Sequence, residues 1–214
     1  MAMRSLSSFE RRERERGETR RKILDAARRM FVQQGYEGTT MRAIAAKIGY
    51  TPTAIYHHFK DKDALVAELS ALDFRALTQA LQRVSSIADP VVRLDKMGKE
   101  YVEFGLTHPM QYQFMFMTRR PQNGAPGATR GDPGAQCYDF LRQTCSDVIA
   151  TGRLRPQFRD ADELAQIAWG SLHGLVALQV TRSNDPAFEW RDVRQTAARM
   201  RDALIRGMLR EPEG

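Results

Sequence analysis

The chain predicts an all-α fold of about nine helices, split into a small N-terminal helical domain and a larger helical body. Two observations carry the prediction. Apolar residues recur at offsets of three, four, seven and eight, the period of one face of a helix. Gly, Pro, Ser/Thr and Asp fall between those stretches, where helices stop and start, and the N-terminal region lacks strand-like alternation.

In order along the chain, residues 1–18 contain the run ERRERERGE, which alternates acid and base. They read either as a solvated or self-paired helix or as a flexible arm able to reach polyanion phosphates; the arm is the expectation adopted. From Thr19 the pattern becomes helical, with Ile23, Ala26, Ala27, Met30 and Phe31 on one stripe and a stop at Gly35. Thr39-Thr40 offers an N-cap for a second helix with Met41, Ile44, Ala45 and Ile48 inward. Thr51-Pro52 opens a third, with Ile55 and Phe59 as its apolar positions. Two short helices joined across the turn 49–52 describe a helix-turn-helix.

Beyond Asp61, Leu65, Leu69, Leu72, Leu77, Leu81 and Val84 predict one helix to about Ser86. Asp89-Pro90 starts another that runs to His108-Pro109, followed by the aromatic and methionine segment MQYQFMFM. The stretch TRRPQNGAPGATRGDPG, 118–134, is a loop on its Gly and Pro content. Helices then cover 135–151, 160–182 and 185–210. The division expected is an arm (1–18), a helix-turn-helix domain (19–65) and an effector-binding and dimerisation domain (66–214).

The charge is unevenly spread. Residues 1–60 hold 13 Lys/Arg against 6 Asp/Glu, whereas the rest holds 20 of each, so the whole excess of +7 lies in the N-terminal domain. Such a domain suits a polyanion. Nucleic acid is the first candidate; an anionic membrane surface is the second, but the segment has no lengthwise apolar face. No stretch approaches the roughly 18–20 apolar residues of a membrane span, and the charged N-terminus is unlike a secretory signal, so a cytoplasmic protein is expected. Cys137 and Cys145, eight apart on one helix, stand about 12 Å apart at 1.5 Å rise per residue, beyond disulfide reach. Reduced thiols are expected.

The run ILDAARRMFVQQGYEGTTMRAIAAKIGYTPTAIYHHFKDKDAL is specific. It holds Ala-Phe-Gly spacing in its first helix, a Thr-Thr start to the second, I-A-x-x-x-G, and Y-x-H-F-x-x-K. In these it resembles the N-terminal domain of the tetracycline-repressor (TetR) family of bacterial transcriptional regulators. Tyr50 departs, where a smaller aliphatic residue is usual. WGSLHG, residues 169–174, resembles the Trp-x-x-x-His-Gly signature of one C-terminal subclass.

The resemblance implies a homodimeric repressor that binds a double-stranded DNA operator and is released by a small, largely apolar effector. The alternative is a DNA-binding regulator without a small-molecule effector, constitutive or partner-controlled. The start of the second helix of a helix-turn-helix faces base edges; here it carries Thr51, Pro52, Thr53 and Ala54. By resemblance Arg42 meets a base, and Tyr56, His58 and Lys62 meet the sugar–phosphate backbone. Lys60 and His57 are weaker backbone assignments, and Thr40 caps its helix while offering amides to a phosphate.

An effector cavity between helices is expected to draw on Tyr101, Phe104, Phe114, Met115, Phe116, Met117, Phe140 and Trp169, with His173 as polar anchor; such a wall adapts to flat apolar ligands. The last two helices carry long apolar faces (Leu164, Ile167, Ala168, Leu172, Leu175, Val176; Val193, Ala197, Met200, Leu204, Met208). Gly170, Gly174 and Ala177 permit the close approach of a four-helix dimer interface.

His57 and His58 project about 100° apart on a helix and cannot share a metal as an i, i+4 pair does. No metal or cofactor is expected. No nucleophile turn, phosphate-cradling glycine loop or isolated carboxylate pair is present, so an enzyme is not expected.

Overall fold

The computed structural model describes residues 7–119 and 133–210. Over the described residues it has nine helices: α1 Ser8–Gly38, α2 Met41–Lys47, α3 Pro52–Tyr56, α4 Lys62–Gln82, α5 Pro90–Thr107, α6 Pro109–Phe116, α7 Pro133–Ala150, α8 Ala161–Arg182 and α9 Val193–Met208. None is long and apolar enough to cross a membrane.

The flexible arm is corrected over residues 8–18, which are the first turns of α1. Ser7 accepts from the Glu10 amide at 3.2 Å while the Glu10 carboxylate accepts from the Ser7 amide at 2.7 Å. This reciprocal cap satisfies two amides that a helix start leaves open. Arg14 and Glu18, one turn apart, pair at 2.9 Å, which adds a few tenths of a kcal/mol at most. Residues 1–6 lie outside the described residues. At the other end α1 breaks where the sequence placed its stop: Gly35 has φ 74°, a conformation that a Cβ penalises.

Asp61 caps α4 and Asp89 caps α5, each accepting from the first turn. α4 ends at Gln82, four residues before the expected Ser86, and gives way to turns. The 118–134 loop falls mostly outside the described residues, and Pro133 and Gly134 already belong to α7. α9 begins at Val193 rather than 185, with Asp192 as its cap at 2.7 Å.

Three cores form. The first joins Ile23, Ala26, Ala27, Met30 and Phe31 of α1 to Ile44, Ala45, Ile55, Phe59, Leu65 and Leu69, and takes in Phe114 from α6. The second and third lie in the body, where α5 packs against α4, α7, α8 and α9. A Cβ at Gly105 would sit 2.4 Å from Val176 Cγ1 and 3.0 Å from Tyr112 Cδ2, so α5 and α8 meet at a distance that only glycine allows.

Leu72, expected inward, is exposed, and Asp73 is buried in its place. The stripe Leu69–Asp73–Leu77–Leu81 keeps a strict spacing of four, and Leu72 falls off it. Leu164, Leu172, Val176, Ala197 and Met208 are buried inside this chain. Gly170 and Gly174 have open space around them instead.

The end of α9 is fastened to the segment after α7. Leu154 and Leu209 form an antiparallel bridge. The Arg155 amide donates to Met208 O and the Arg210 amide to Arg153 O, both at 2.9 Å. The two guanidiniums cross over, Arg155 Nε to Leu209 O at 3.0 Å and Arg210 Nε to Leu154 O at 2.7 Å.

Candidate nucleic-acid interface and ligand cavity

The two threonines that open α2 and α3 act as caps. Thr40 Oγ1 accepts from Ala43 N at 3.1 Å and Thr51 Oγ1 from Ala54 N at 3.3 Å. Ile44, Ala45 and Ile55 anchor this pair of helices in the core, leaving Thr40, Arg42, Thr51, Pro52, Thr53, Tyr56, His57 and Lys60 exposed on the outer side; Ala54 and His58 are half-buried. Tyr56 is 51% exposed, although an aromatic ring is normally covered.

Lys62 differs from the free backbone contact expected of it. Its Nζ donates to Tyr36 O at 2.9 Å and Thr39 O at 3.1 Å and lies 3.8 Å from the Tyr36 ring centroid. These carbonyls end α1, where a cation is favoured. Arg20, absent from the expected set, performs a similar task at the end of α3. Its Nη1 donates to His58 O at 2.6 Å, its Nε to Glu68 at 2.7 Å, and its guanidinium stacks 4.3 Å over Phe59. The family motif shows none of this, because Arg20 lies outside it. Burial, reinforced by Arg20, Arg16 and His57, holds the His58 pKa below its ordinary value.

In the body a cavity of about 270 Å³ opens between α4, α5, α7, α8 and α9. Tyr101, Phe116 and Trp169 line it as expected, alongside Phe74, Leu77, Met97, Cys137 and Leu172. The other expected residues do not. Phe104 is buried and stacks on His108 at 4.8 Å. Phe114 packs on Phe31 at 5.8 Å, in the core of the other domain. Met115 is buried in the body core, and Met117 and Phe140 pack against it. The periodicity of α6 cannot separate these sites, since its buried residues Tyr112, Phe114 and Met115 point to different sides of so short a helix.

His173 stands behind the cavity wall in a hydrogen-bond chain. Trp169 Nε1 donates to Tyr101 OH at 3.0 Å, Tyr101 OH bonds Tyr112 OH at 2.9 Å, and Tyr112 OH bonds His173 Nδ1 at 2.7 Å. Burial raises both phenols far above their usual range and lowers the imidazole. All three groups are thus neutral near pH 7. One ion pair edges the otherwise apolar wall: Arg201 Nε donates to Asp95 at 2.9 Å.

A second buried pair joins the two regions. Arg28 of α1 donates to both Asp73 oxygens, Nε at 3.0 Å and Nη2 at 2.8 Å, and Gln111 of α6 adds a donor at 3.1 Å. An aspartate within an apolar stripe is the signal that would have found it. The next residue, Phe74, lines the cavity.

Two family models match this chain: bacterial regulatory proteins of the tetR family over residues 23–69, and the tetracyclin repressor-like C-terminal domain over residues 94–204. The chain belongs to the TetR family. That is a family of regulators rather than of enzymes. An HTH-type transcriptional repressor of Mycobacterium tuberculosis is 44% identical over 64 residues, 30% of this chain and 34% of its own length. This TetR-family chain thus matches about a third of that relative. The HTH-type transcriptional regulator UidR of Escherichia coli is 26% identical over 171 residues, 77% of this chain and 85% of its own. Among solved structures, the transcriptional regulator FadR of Bacillus subtilis, in complex with stearoyl-CoA, superposes with a TM-score of 0.69 at 15% identity over 87% of this chain and 98% of its own.

Proposed function

We propose that this TetR-family protein is a repressor that binds an operator as a homodimer and leaves it when a largely apolar ligand fills the cavity. The observation that carries the reading is the adjacency of Phe74 and Asp73 on α4: one faces the cavity, the other holds Arg28 of α1. A ligand that displaces Phe74 turns α4 and thereby moves the helix that carries the DNA-binding core. It acts through its difference in affinity for two arrangements of that core. A ligand favouring the released form ten thousand-fold takes the population from about 1:99 to 99:1.

In this reading Thr51, Pro52, Thr53, Ala54 and Arg42 face base edges, and Thr40, Tyr56, His57, His58 and Lys60 face phosphates. Lys62 acts mainly by fixing the end of α1 beside them. The open glycines of α8 suit a dimer seam, whose two recognition helices must then reach successive major grooves about 34 Å apart. The stearoyl-CoA of the Bacillus relative makes long acyl compounds the first class to try.

The test is a melting screen of fatty acids, acyl-CoA thioesters and steroids, followed by fluorescence anisotropy on duplex DNA from upstream of the coding region. A compound that raises the melting temperature is expected to release the DNA. Stabilising compounds that leave DNA affinity unchanged overturn the reading.

A further inference from the structure

The helical start of α1 does more than lengthen the helix. Arg12, Glu15, Arg16 and Thr19 form one wall of a groove of about 390 Å³ whose other wall is His57 and His58, at the end of α3. Arg12 and Arg16 are one turn apart, hence on one face. Both are exposed. Among the described residues Arg12 has no ion-pair partner, and Arg16 has only Glu13 at 3.9 Å, a contact exposed on both sides. Such a pair holds its charge weakly. His58 Nδ1 is buried without a hydrogen-bond partner at the same groove.

Glu15 is the one carboxylate among the lining residues, so Arg12 and Arg16 leave the groove cationic by one charge. Arg20, one turn beyond Arg16, holds His58 O and fixes the opposite wall in place. The arrangement is an anion slot continuous with the exposed Tyr56–His57 edge.

We infer that this groove is a second clamp on the DNA backbone, in which Arg12, Arg16 and His57 hold a phosphate beyond the reach of the recognition helix. The inference rests on the DNA-binding reading above. It replaces the flexible arm expected to reach phosphates with a preformed helical rail. A guanidinium pair on a rigid helix suits a phosphate because its donors are planar and need little ordering.

The test measures binding of the full-length protein to a random-sequence 30-base-pair duplex across a salt series. For R12A/R16A the plot of log affinity against log salt is expected to flatten by about 0.9 for each phosphate that is no longer neutralised. R14A/R21A removes the same charge from the opposite face of α1 and is expected to leave the slope near wild type. Glu15→Gln is expected to tighten binding, and R12K/R16K to restore most of the slope. Circular dichroism verifies that α1 persists in each variant. Equal slopes for R12A/R16A and R14A/R21A overturn the clamp alone. Failure of the wild-type protein to bind any duplex at low salt overturns the DNA-binding reading itself.

Discussion

Asp73 receives Arg28 through both carboxylate oxygens, at 2.8 and 3.0 Å, and does so almost wholly shielded from water, at 1% side-chain exposure against 14% for the arginine. The pair spans α1 and α4, and Gln111 brings α6 to the same carboxylate.

Removing Arg28 leaves the Asp73 carboxylate buried without a cation, whereas removing the Asp73 charge leaves Arg28 its 2.9 Å pair with the half-exposed Asp25. Arg28→Met is therefore expected to cost about 3–5 kcal/mol, the usual penalty for breaking a buried pair, and Asp73→Asn less. R28M/D73L, which removes both charges and keeps volume, is expected to cost much less than the sum of the single variants. Urea unfolding at pH 7.5 measures all of them; additive losses would show that the two residues do not act as a pair.

Gly105 is the tightest point in the body. Gly105→Ala drives a methyl against Val176 and Tyr112 and is expected to destabilise by about 1–3 kcal/mol through overpacking. Gly170, with nothing within 4 Å, accepts alanine without loss in the monomer and gains up to about 1 kcal/mol of helix propensity. If α8 forms the proposed dimer seam, replacing Gly174 by arginine is expected to give a monomer by sedimentation where the wild type is a dimer, with the helical circular-dichroism signal intact.

Burial pushes the Cys137 thiol up to about 11 and Cys145 to about 12. Since the thiolate is the reactive form, native protein at pH 8 is expected to react slowly with Ellman's reagent and to release two thiols at once on unfolding. Cys137 lines the cavity, so a bound ligand is expected to slow its modification further and to leave the rate at Cys145 unaltered.

Two histidines set the response to mild acid. His173 faces Tyr101, Tyr112, Phe116 and Trp169, and His58 faces Arg16, Arg20 and His57; burial depresses both below 6.5. Their folded pKa values lie below the unfolded ones, so the unfolded chain takes up protons first as pH falls. Stability is therefore full above about pH 6.5 and declines beneath it. Melting temperature is expected to drop between pH 7.5 and 5.5, and His173→Gln to flatten that drop.

Periodicity and punctuation carried most of the fold. Ile23, Ala26, Ala27, Met30 and Phe31 are all buried, and Gly35 turns α1 off where a stop was expected. The exposed edge of the helix-turn-helix was equally legible, because its family pattern fixes which positions face out. The cavity was not. Aromatic residues on α5 and α6 serve different cores, and which core each reaches depends on how helices dock. Phe114 ends against Phe31 of α1, while Phe116, two residues on, reaches the cavity. Much of the true lining comes from aliphatic residues of α4, α7 and α9 that composition does not distinguish from ordinary core. Asp73 was visible in principle as a charge within a leucine stripe.

The crossed arginines that clasp 153–155 to 208–210 also stiffen one side of the cavity. Ile205 and Met208 contribute to the cavity just before that clasp, so this wall is a floor bolted at its edge by four hydrogen bonds. Trp169, by contrast, lines the same chamber at 37% exposure. A guest that enters the chamber is therefore expected to pass this indole rather than the clasp, at the expense of its Nε1 bond to Tyr101 and its ring contacts with Phe116, Tyr138 and His173.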